Sequence, residues 1–208
     1  AARSFDASGS PSAGAQENPS HEGDLADLWF GERTRAFLKI QEGCALACSY
    51  CIIPRVRGAS RSVPPERVAS ALSALVARGY REIVLTGVNT GDYGKDLVPR
   101  TELASLLDRL LRICSAAERD EAAAAGAPGD PLRLRLNSLE PRTVSSTIAA
   151  LLRESPRLCR HLQMPLQSGC DRTLTRMHRN YRVRDYSRIA EALRREVPDI
   201  GLGADVIA

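Results

Sequence analysis

The chain has 208 residues, of which 43% are hydrophobic and 26% are charged, and its formal net charge is +4. This composition is that of an ordinary globular domain and excludes a wholly disordered, collagen-like or coiled-coil chain. Because no apolar run approaches the roughly 18 residues of a membrane-spanning helix and no signal pattern opens the chain, we expect a cytoplasmic protein without a membrane partner.

Predicted strands and helices alternate along the chain. Residues 1–34 lack a hydrophobic period and are predicted to be a flexible linker and lead-in, so the folded core is expected over residues 35–208. The predicted strands are residues 35–41, 82–86, 132–136 and about 159–166, with a fifth that begins at residue 200. Helical spacing of apolar residues predicts helices over residues 64–79, 101–114, 144–155 and 186–197, with a surface insertion over residues 115–131.

This alternation predicts an α/β fold built on parallel strands. Parallel neighbours need crossover connections, which the predicted helices supply, and no hairpin signal interrupts the pattern. Polar residues such as Thr86, Ser138 and Gln167 stand at the carboxyl ends of successive predicted strands. In a parallel barrel or an open α/β sheet, this edge is where ligands bind.

Three of the six cysteines, Cys44, Cys48 and Cys51, form a C-x3-C-x2-C pattern directly after the first predicted strand. A loop this tight presents three sulfurs to one centre and is poorly suited to independent disulfides. Structural zinc usually has four ligands, whereas three thiolates with one open position are typical of an iron–sulfur cluster with an exchangeable site. The spacing by itself favours the cluster and leaves zinc, or structural or redox-active thiols, as alternatives.

The cysteine pattern resembles the signature of the radical S-adenosylmethionine superfamily, and its surroundings resemble the tRNA methylthiotransferases within that superfamily. Three stretches carry the resemblance, which extends over residues 35–207. They are residues 35–43 with the cysteines and Ile52-Ile53-Pro54, then Ile83-Val84-Leu85-Thr86-Gly87-Val88-Asn89 with Asp92-Tyr93-Gly94, and then Leu139-Glu140-Pro141 with Pro165-Leu166-Gln167-Ser168-Gly169. The resemblance implies a partial (βα)6 TIM-like radical S-adenosylmethionine barrel, with about five of its six βα units present.

The resemblance also implies two cofactors. Cys44, Cys48 and Cys51 would hold a 4Fe–4S cluster, and S-adenosylmethionine would bind its fourth iron. The reduced cluster would pass one electron to the sulfonium and release a 5′-deoxyadenosyl radical, so an electron donor such as flavodoxin or ferredoxin is expected. The residues implied to contact S-adenosylmethionine are Tyr50, Thr86, Gly87, Ser138, Glu140 and Gln167.

Most of these contacts have a simpler alternative. Thr86 and Gly87 fit an ordinary turn, and Ser138 fits the cap of the following helix. Gln167 fits a role in satisfying backbone groups of its loop, and Tyr50 fits ordinary packing. Both interpretations are open at the level of the sequence.

Arginine accounts for all but two of the 29 basic residues. A planar guanidinium suits phosphate recognition, but genome composition produces the same bias. Arg57 and Arg61 follow the cysteine loop and are the candidates for substrate binding. The dense arginines of residues 172–195 fit either a solvated helix face or an RNA-contacting surface.

The resemblance implies transfer of a methylthio group to C2 of a modified adenosine next to the tRNA anticodon. Residues 85–94 are most like the branch that acts on N6-threonylcarbamoyladenosine. Isopentenyladenosine in tRNA and a ribosomal protein are the alternative substrates, and a non-catalytic metal-binding RNA module is the alternative class. Whole members of the family carry a second cluster domain before the barrel, and a sixth strand and an RNA-binding domain after it. We therefore expect a fragment that binds the cluster without completing the reaction.

Overall fold

The computed structural model describes residues 35–125 and 131–207. The predicted linker over residues 1–34 therefore lies outside the described residues. The strands in the described ranges are β1 (Arg35–Lys39), β2 (Gln41–Glu42), β3 (Arg61–Ser62), β4 (Glu82–Thr86), β5 (Arg133–Leu136), β6 (His161–Gln163) and β7 (Gly201–Gly203). The helices are α1 (Ile53–Arg57), α2 (Pro65–Ala77), α3 (Leu103–Ala125), α4 (Ser146–Glu154), α5 (Asp171–Arg176) and α6 (Val183–Glu196).

The core is a set of parallel strands whose spatial order follows their order in the chain. β4 lies between β1 and β5 and pairs with both, so that Leu85 stands beside Leu38 on one side and Leu136 on the other. β6 and β7 form a second parallel pair, and a parallel bridge between Leu134 and Leu158 joins β5 to the segment that leads into β6. The carboxyl ends of these strands consequently lie at one edge.

The helices cover the sheet with the faces that their apolar spacing predicts. Pro65 occupies the first turn of α2, where its missing N–H costs no hydrogen bond, and Val68 and Leu72 are fully buried against the core. Ser145 caps α4 by accepting a hydrogen bond from the backbone N–H of Ile148 at 3.2 Å. No helix in residues 35–125 or 131–207 has the length and apolar character needed to cross a bilayer.

The prediction of a surface insertion after residue 114 was wrong over its first part, because α3 continues to Ala125. This extension is rich in alanine, which has the highest intrinsic helix propensity. Side chains of the extension also bind the core: Glu121 forms an ion pair with Arg81 at 2.7 Å, and Glu118 accepts a hydrogen bond from the backbone N–H of Leu132 at 2.6 Å.

The structure also contains an antiparallel pairing for which the sequence carries no hairpin signal. β2 and β3 pair antiparallel, with Gln41 beside Ser62 and Glu42 beside Arg61. Each strand has only two residues, so neither carries a periodic sequence pattern. The pairing brings together the two ends of the segment that contains the cysteines, and it therefore closes that segment into a loop.

The opposite, amino-terminal edge of the sheet is held by a buried carboxylate. Glu82, at the start of β4, is 6% exposed. It binds three arginines on its neighbouring strands, Arg35 at 3.2 Å, Arg133 at 3.3 Å and Arg135 at 2.9 Å. Burial by itself raises the pKa of Glu82, but the hydrogen bond from Arg135 and the three positive charges outweigh it, so the pKa lies below its usual value.

We expect Glu82→Gln to lower the free energy of unfolding by about 2 kcal/mol at neutral pH, because it leaves three arginines without their carboxylate while two of them stay half exposed. This difference in the free energy of unfolding between parent and variant should have its full size above the ordinary glutamate pKa of about 4.3. It should shrink as the pH falls through the lowered folded-state pKa, since the parent carboxylate is then protonated as well.

Denaturant unfolding of both proteins across this pH range measures the difference. Glu66→Gln is the matched control, because Glu66 pairs with Arg109 on the exposed surface and should contribute little. A pH-independent difference between parent and Glu82→Gln would contradict the electrostatic origin.

Candidate functional site

A cavity of about 290 Å³ opens at the carboxyl edge of the sheet. Its walls come from the cysteine loop and from segments that follow β4, β5, β6 and β7. They are Cys44, Leu46, Cys48, Tyr50, Cys51, Ile53, Val88, Asn89, Ser138, Glu140, Gln163, Pro165, Gln167, Arg179 and Asp205. The cavity therefore unites the three cysteines with four of the predicted cofactor contacts. A larger cavity of about 480 Å³ lies between the starts of α3 and α4 and contains none of the predicted site residues.

The cysteine loop begins at a position that only glycine tolerates. Gly43 has φ +71°, and a Cβ placed there would lie 2.0 Å from the carbonyl oxygen of Ala59. The buried amide of Gln41 holds the same region, because its Nε2 donates to the carbonyl of Gly43 at 2.8 Å and to Ser60 Oγ at 2.8 Å. Its Oε1 accepts from the backbone N–H of Asn89 at 3.0 Å. Gln41 thus ties the cysteine loop to the loop after β4.

The far side of the cysteine loop docks against the last residue of α5 and the segment that follows it. Ser49 donates from its hydroxyl to the carbonyl of Arg176 at 2.8 Å and from its backbone N–H to the carbonyl of Met177 at 3.3 Å. The carbonyl of Ala47 lies 3.1 Å from Nδ1 of His178. These contacts fix the part of the loop that carries Cys48.

All three loop cysteines are free thiols. The backbone N–H of Leu46 donates to Cys44 Sγ at 3.4 Å, and Nη1 of Arg179 donates to Cys48 Sγ at 3.3 Å. Burial raises the pKa of the Cys44 thiol by more than the Leu46 N–H lowers it. In the part of the chain that the structure describes, no group of three His, Cys, Asp or Glu side chains is already arranged as a metal site.

The donor set nevertheless fits an iron–sulfur cluster. All three cysteines line one cavity, and N–H groups donate to the sulfurs of two of them, which is how proteins stabilise cluster thiolates. The role of Cys44, Cys48 and Cys51 as cluster ligands stays a prediction. Tyr50, within the same loop, lines the cavity while 43% exposed, and burial raises its pKa to about 12.

Two of the predicted contacts, Ser138 and Gln167, hold strained backbone conformations. Their φ angles are +58° and +67°, which residues other than glycine rarely adopt and which cluster at ligand sites. The alternative role of Ser138 as the cap of the following helix is not what the structure shows, because Ser145 caps α4 and Glu140 caps the short turn before it. Gln167 donates its backbone N–H to the carbonyl of Asp205 at 2.7 Å.

Glu140 is 5% exposed, and both of its carboxylate oxygens have partners within the chain. Oε2 accepts from the backbone N–H of Arg142 at 2.9 Å, and Oε1 lies 3.4 Å from Nη2 of Arg179. Burial raises the pKa of Glu140 against the opposing effect of these groups. Its carboxylate is therefore engaged in holding the walls of the cavity together.

The structure does not bring the other four predicted residues into the cavity wall. Thr86 ends β4, and a Cβ on Gly87 would lie 2.8 Å from Oε1 of Gln41, so the glycine permits the packing of that buried amide. Arg57 pairs with Glu42 at 3.2 Å on the surface. Arg61 lies in β3, and its buried Nε has no partner among the described residues.

Eight residues of the cavity wall were not predicted as site residues, and Arg179 and Asn89 are the two whose polar contacts bear most on its chemistry. Arg179 contacts Cys48, and only the folded chain brings the two together. Asn89 is 4% exposed; its Nδ2 donates to Asp92 at 2.9 Å, while its Oδ1 has no partner within the described ranges. A buried acceptor left open on a cavity wall fits a ligand that carries N–H donors, as S-adenosylmethionine does. Its position in the stretch Thr86-Gly87-Val88-Asn89 was the available sequence clue.

The fold and the cavity define a class of protein, namely an α/β domain that presents a three-cysteine loop at the carboxyl edge of parallel strands. The pattern of the radical SAM superfamily matches residues 38–207, and the chain belongs to this superfamily. The partial barrel predicted from the sequence is thereby confirmed.

Solved structures support the fold. The chain is similar to the cobalamin-dependent S-adenosylmethionine radical enzyme OxsB with aqua-cobalamin and S-adenosylmethionine bound, with a TM-score of 0.57 and 12% identity over 82% of this chain and 23% of that one. It is also similar to the radical S-adenosylmethionine methyltransferase TsrM from Kitasatospora setae, with a TM-score of 0.54 and 20% identity over 83% of this chain and 29% of that one. At these identities the likeness concerns the fold alone.

Two curated relatives confirm the resemblance to tRNA methylthiotransferases. The chain is 38% identical over 179 residues to the threonylcarbamoyladenosine tRNA methylthiotransferase MtaB of Thermotoga maritima, which covers 86% of this chain and 37% of the relative. It is 35% identical over 176 residues to the tRNA-2-methylthio-N(6)-dimethylallyladenosine synthase of Caldicellulosiruptor saccharolyticus, which covers 85% of this chain and 34% of the relative. The chain thus spans little more than a third of the length of these relatives.

We expect Gly43→Ala to unfold or strongly destabilise the cysteine loop, because the new Cβ meets a backbone carbonyl that cannot move aside. Gly79→Ala is the matched control: Gly79 also has a positive φ, of +88°, but a Cβ there meets nothing within 4 Å. The control should lower the free energy of unfolding by only the roughly 1–2 kcal/mol that a left-handed conformation costs a residue with a side chain. Gly43→Ala should lower it by at least twice as much. Denaturant unfolding measures both, and equal losses would contradict the proposed clash.

Proposed function

We propose that this chain is the catalytic core of a radical S-adenosylmethionine tRNA methylthiotransferase, which adds a methylthio group to C2 of a modified adenosine next to the anticodon. The observation that carries this proposal is the single cavity that unites Cys44, Cys48 and Cys51 with Ser138 and Gln167. The identity to tRNA methylthiotransferases over most of this chain supports the same conclusion.

In this proposal the three cysteines hold a 4Fe–4S cluster and the opposite wall binds S-adenosylmethionine. When bound, the pair supplies a one-electron reduction that generates a radical, with the electron coming from a donor of the flavodoxin or ferredoxin class. The chain itself orients the ligand. Asn89 provides an acceptor oxygen without a partner in the described residues, and Tyr50 provides an aromatic face. Ser138 and Gln167 provide polar groups held by left-handed backbone.

The RNA partner is proposed to meet the surface beside the cysteine loop. Arg57 is half exposed there and pairs with Glu42, and the exposed part of its guanidinium is available to a phosphate. Arg61 lies in the strand that closes the loop. Within the family we favour the threonylcarbamoyladenosine branch, since identity to its member is 38% against 35% for the dimethylallyladenosine enzyme. We place the protein in the cytoplasm, where tRNA is modified.

The cofactor part of the proposal is tested by anaerobic reconstitution with iron and sulfide. The parent chain should gain broad visible absorbance, and reduction in the presence of S-adenosylmethionine should give 5′-deoxyadenosine. Cys48→Ala should lose both, whereas Cys170→Ala should keep both, because Cys170 is an exposed thiol outside the cavity. Zinc in the purified protein with no uptake of iron would overturn the proposal in favour of a non-catalytic metal-binding RNA module.

The RNA part is tested by binding to an RNA hairpin that carries an anticodon stem and loop. We expect the double variant Arg57→Gln/Arg61→Gln to bind more weakly and to reduce the slope of log affinity against log salt concentration by about 1–2, because phosphate contacts are lost. Arg112→Gln/Arg119→Gln removes the same charge from α3 and should leave the slope unchanged. Equal slopes in the two double variants would contradict the assignment.

A further inference from the structure

One buried cation in the cavity has no role in the function proposed above. The side chain of Arg179 is 6% exposed, and it lines the same wall as Cys48. A buried guanidinium is rare unless its donors are satisfied. We propose that Arg179 is a positioning residue that holds the sulfur of Cys48 and raises the reduction potential of the cluster bound there. The inference rests on the proposed function, because it requires the cluster.

The guanidinium of Arg179 divides its donors among three groups. Nη1 donates to Cys48 Sγ at 3.3 Å, Nη2 lies 3.4 Å from Oε1 of Glu140, and Nε donates to the hydroxyl of Tyr181 at 3.2 Å. The ring of Tyr181 also lies under the guanidinium, with its centroid 4.9 Å from the central carbon. A planar fork can satisfy these directions together, which an ammonium cannot.

The partners of Arg179 are themselves fixed. Tyr181 is 2% exposed, and its hydroxyl oxygen lies 2.7 Å from the carbonyl oxygen of Pro165 and 3.0 Å from that of Leu166, either of which can accept its hydrogen. Glu140 is held from its other oxygen by the backbone N–H of Arg142. The guanidinium is consequently aimed at Cys48 by groups that follow β5 and β6. Glu140 contacts Nη2 of Arg179, whereas Nη1 is the nitrogen that donates to Cys48. The Nη1–H bond therefore keeps its dipole directed at the sulfur.

Reduction of the cluster adds one electron from an external donor and transfers no atom. The bound cluster and its thiolates become more negative by one charge. An N–H hydrogen bond to a ligating sulfur stabilises the more negative state, as does a positive charge in a wall shielded from water. Arg179 should therefore make the cluster easier to reduce than it would be beside a neutral side chain.

The test is a redox titration of the reconstituted 4Fe–4S cluster, in which dithionite is the reductant and electron paramagnetic resonance of the reduced state is the readout. We expect Arg179→Gln to load the cluster with a midpoint potential below that of the parent. The midpoint potential of Arg179→Lys should lie between these two values, because lysine keeps the positive charge but lacks the planar guanidinium that reaches all three partners. Arg172→Gln, an exposed arginine on α5 outside the cavity wall, should match the parent.

Each outcome decides a different point. A parent chain that binds no cluster refutes the proposed function and the inference with it. A loaded Arg179→Gln whose potential equals that of the parent refutes the inference alone and leaves Arg179 as a packing residue. If Arg179→Gln does not load, Tyr181→Phe decides, because it keeps the charge of Arg179 and removes only the hydroxyl that orients it. An unchanged potential in Tyr181→Phe would then overturn the inference.

Discussion

The parallel pairing of β4 with both β1 and β5 is the constraint on which the candidate site depends. It sends three consecutive connections out at the same edge of the sheet, so that the cysteine loop, the loop after β4 and the loop after β5 face each other without any long detour of the chain. The buried amide of Gln41 then links the first two of these loops directly. The sheet sets which loops meet, and the side chains set how closely they meet.

The two edges of the sheet have different roles: the amino-terminal edge stabilises the fold, and the carboxyl edge carries the candidate site. At the amino-terminal edge, the buried carboxylate of Glu82 binds three arginines of the neighbouring strands. At the carboxyl edge, Ser138 and Gln167 hold left-handed backbone, and Asn89 carries an acceptor with no partner in the described residues. This contrast is expected when one edge of a parallel fold stabilises it and the other binds ligands.

Much of this arrangement follows from local sequence. The periodic spacing of apolar residues predicts the alternation of strands and helices, because each element buries one face in the core. The three cysteines are recognisable because they lie close together in the sequence. The error at α3 has a local cause as well: the alanine-rich stretch after Cys114 was interpreted as an insertion, although its helix propensity is high. Arg179 was not predictable in the same way, since its meaning lies in contacts with Cys48 and Glu140 that are distant in the chain. Likewise, the packing of Gly87 against Gln41 cannot be told from a ligand contact by sequence alone.

The docking of the cysteine loop has a consequence for biosynthesis. Its partners are separated from it by 127 residues for Ser49 and Arg176 and by 131 for Cys48 and Arg179. During translation the three thiols therefore leave the ribosome long before the segment that fixes them exists. Contacts of such range carry a large loop-closure entropy. Under the proposed function, a cluster delivered to the nascent chain would therefore meet flexible thiols, whereas a cluster delivered to the finished chain would meet a formed cavity.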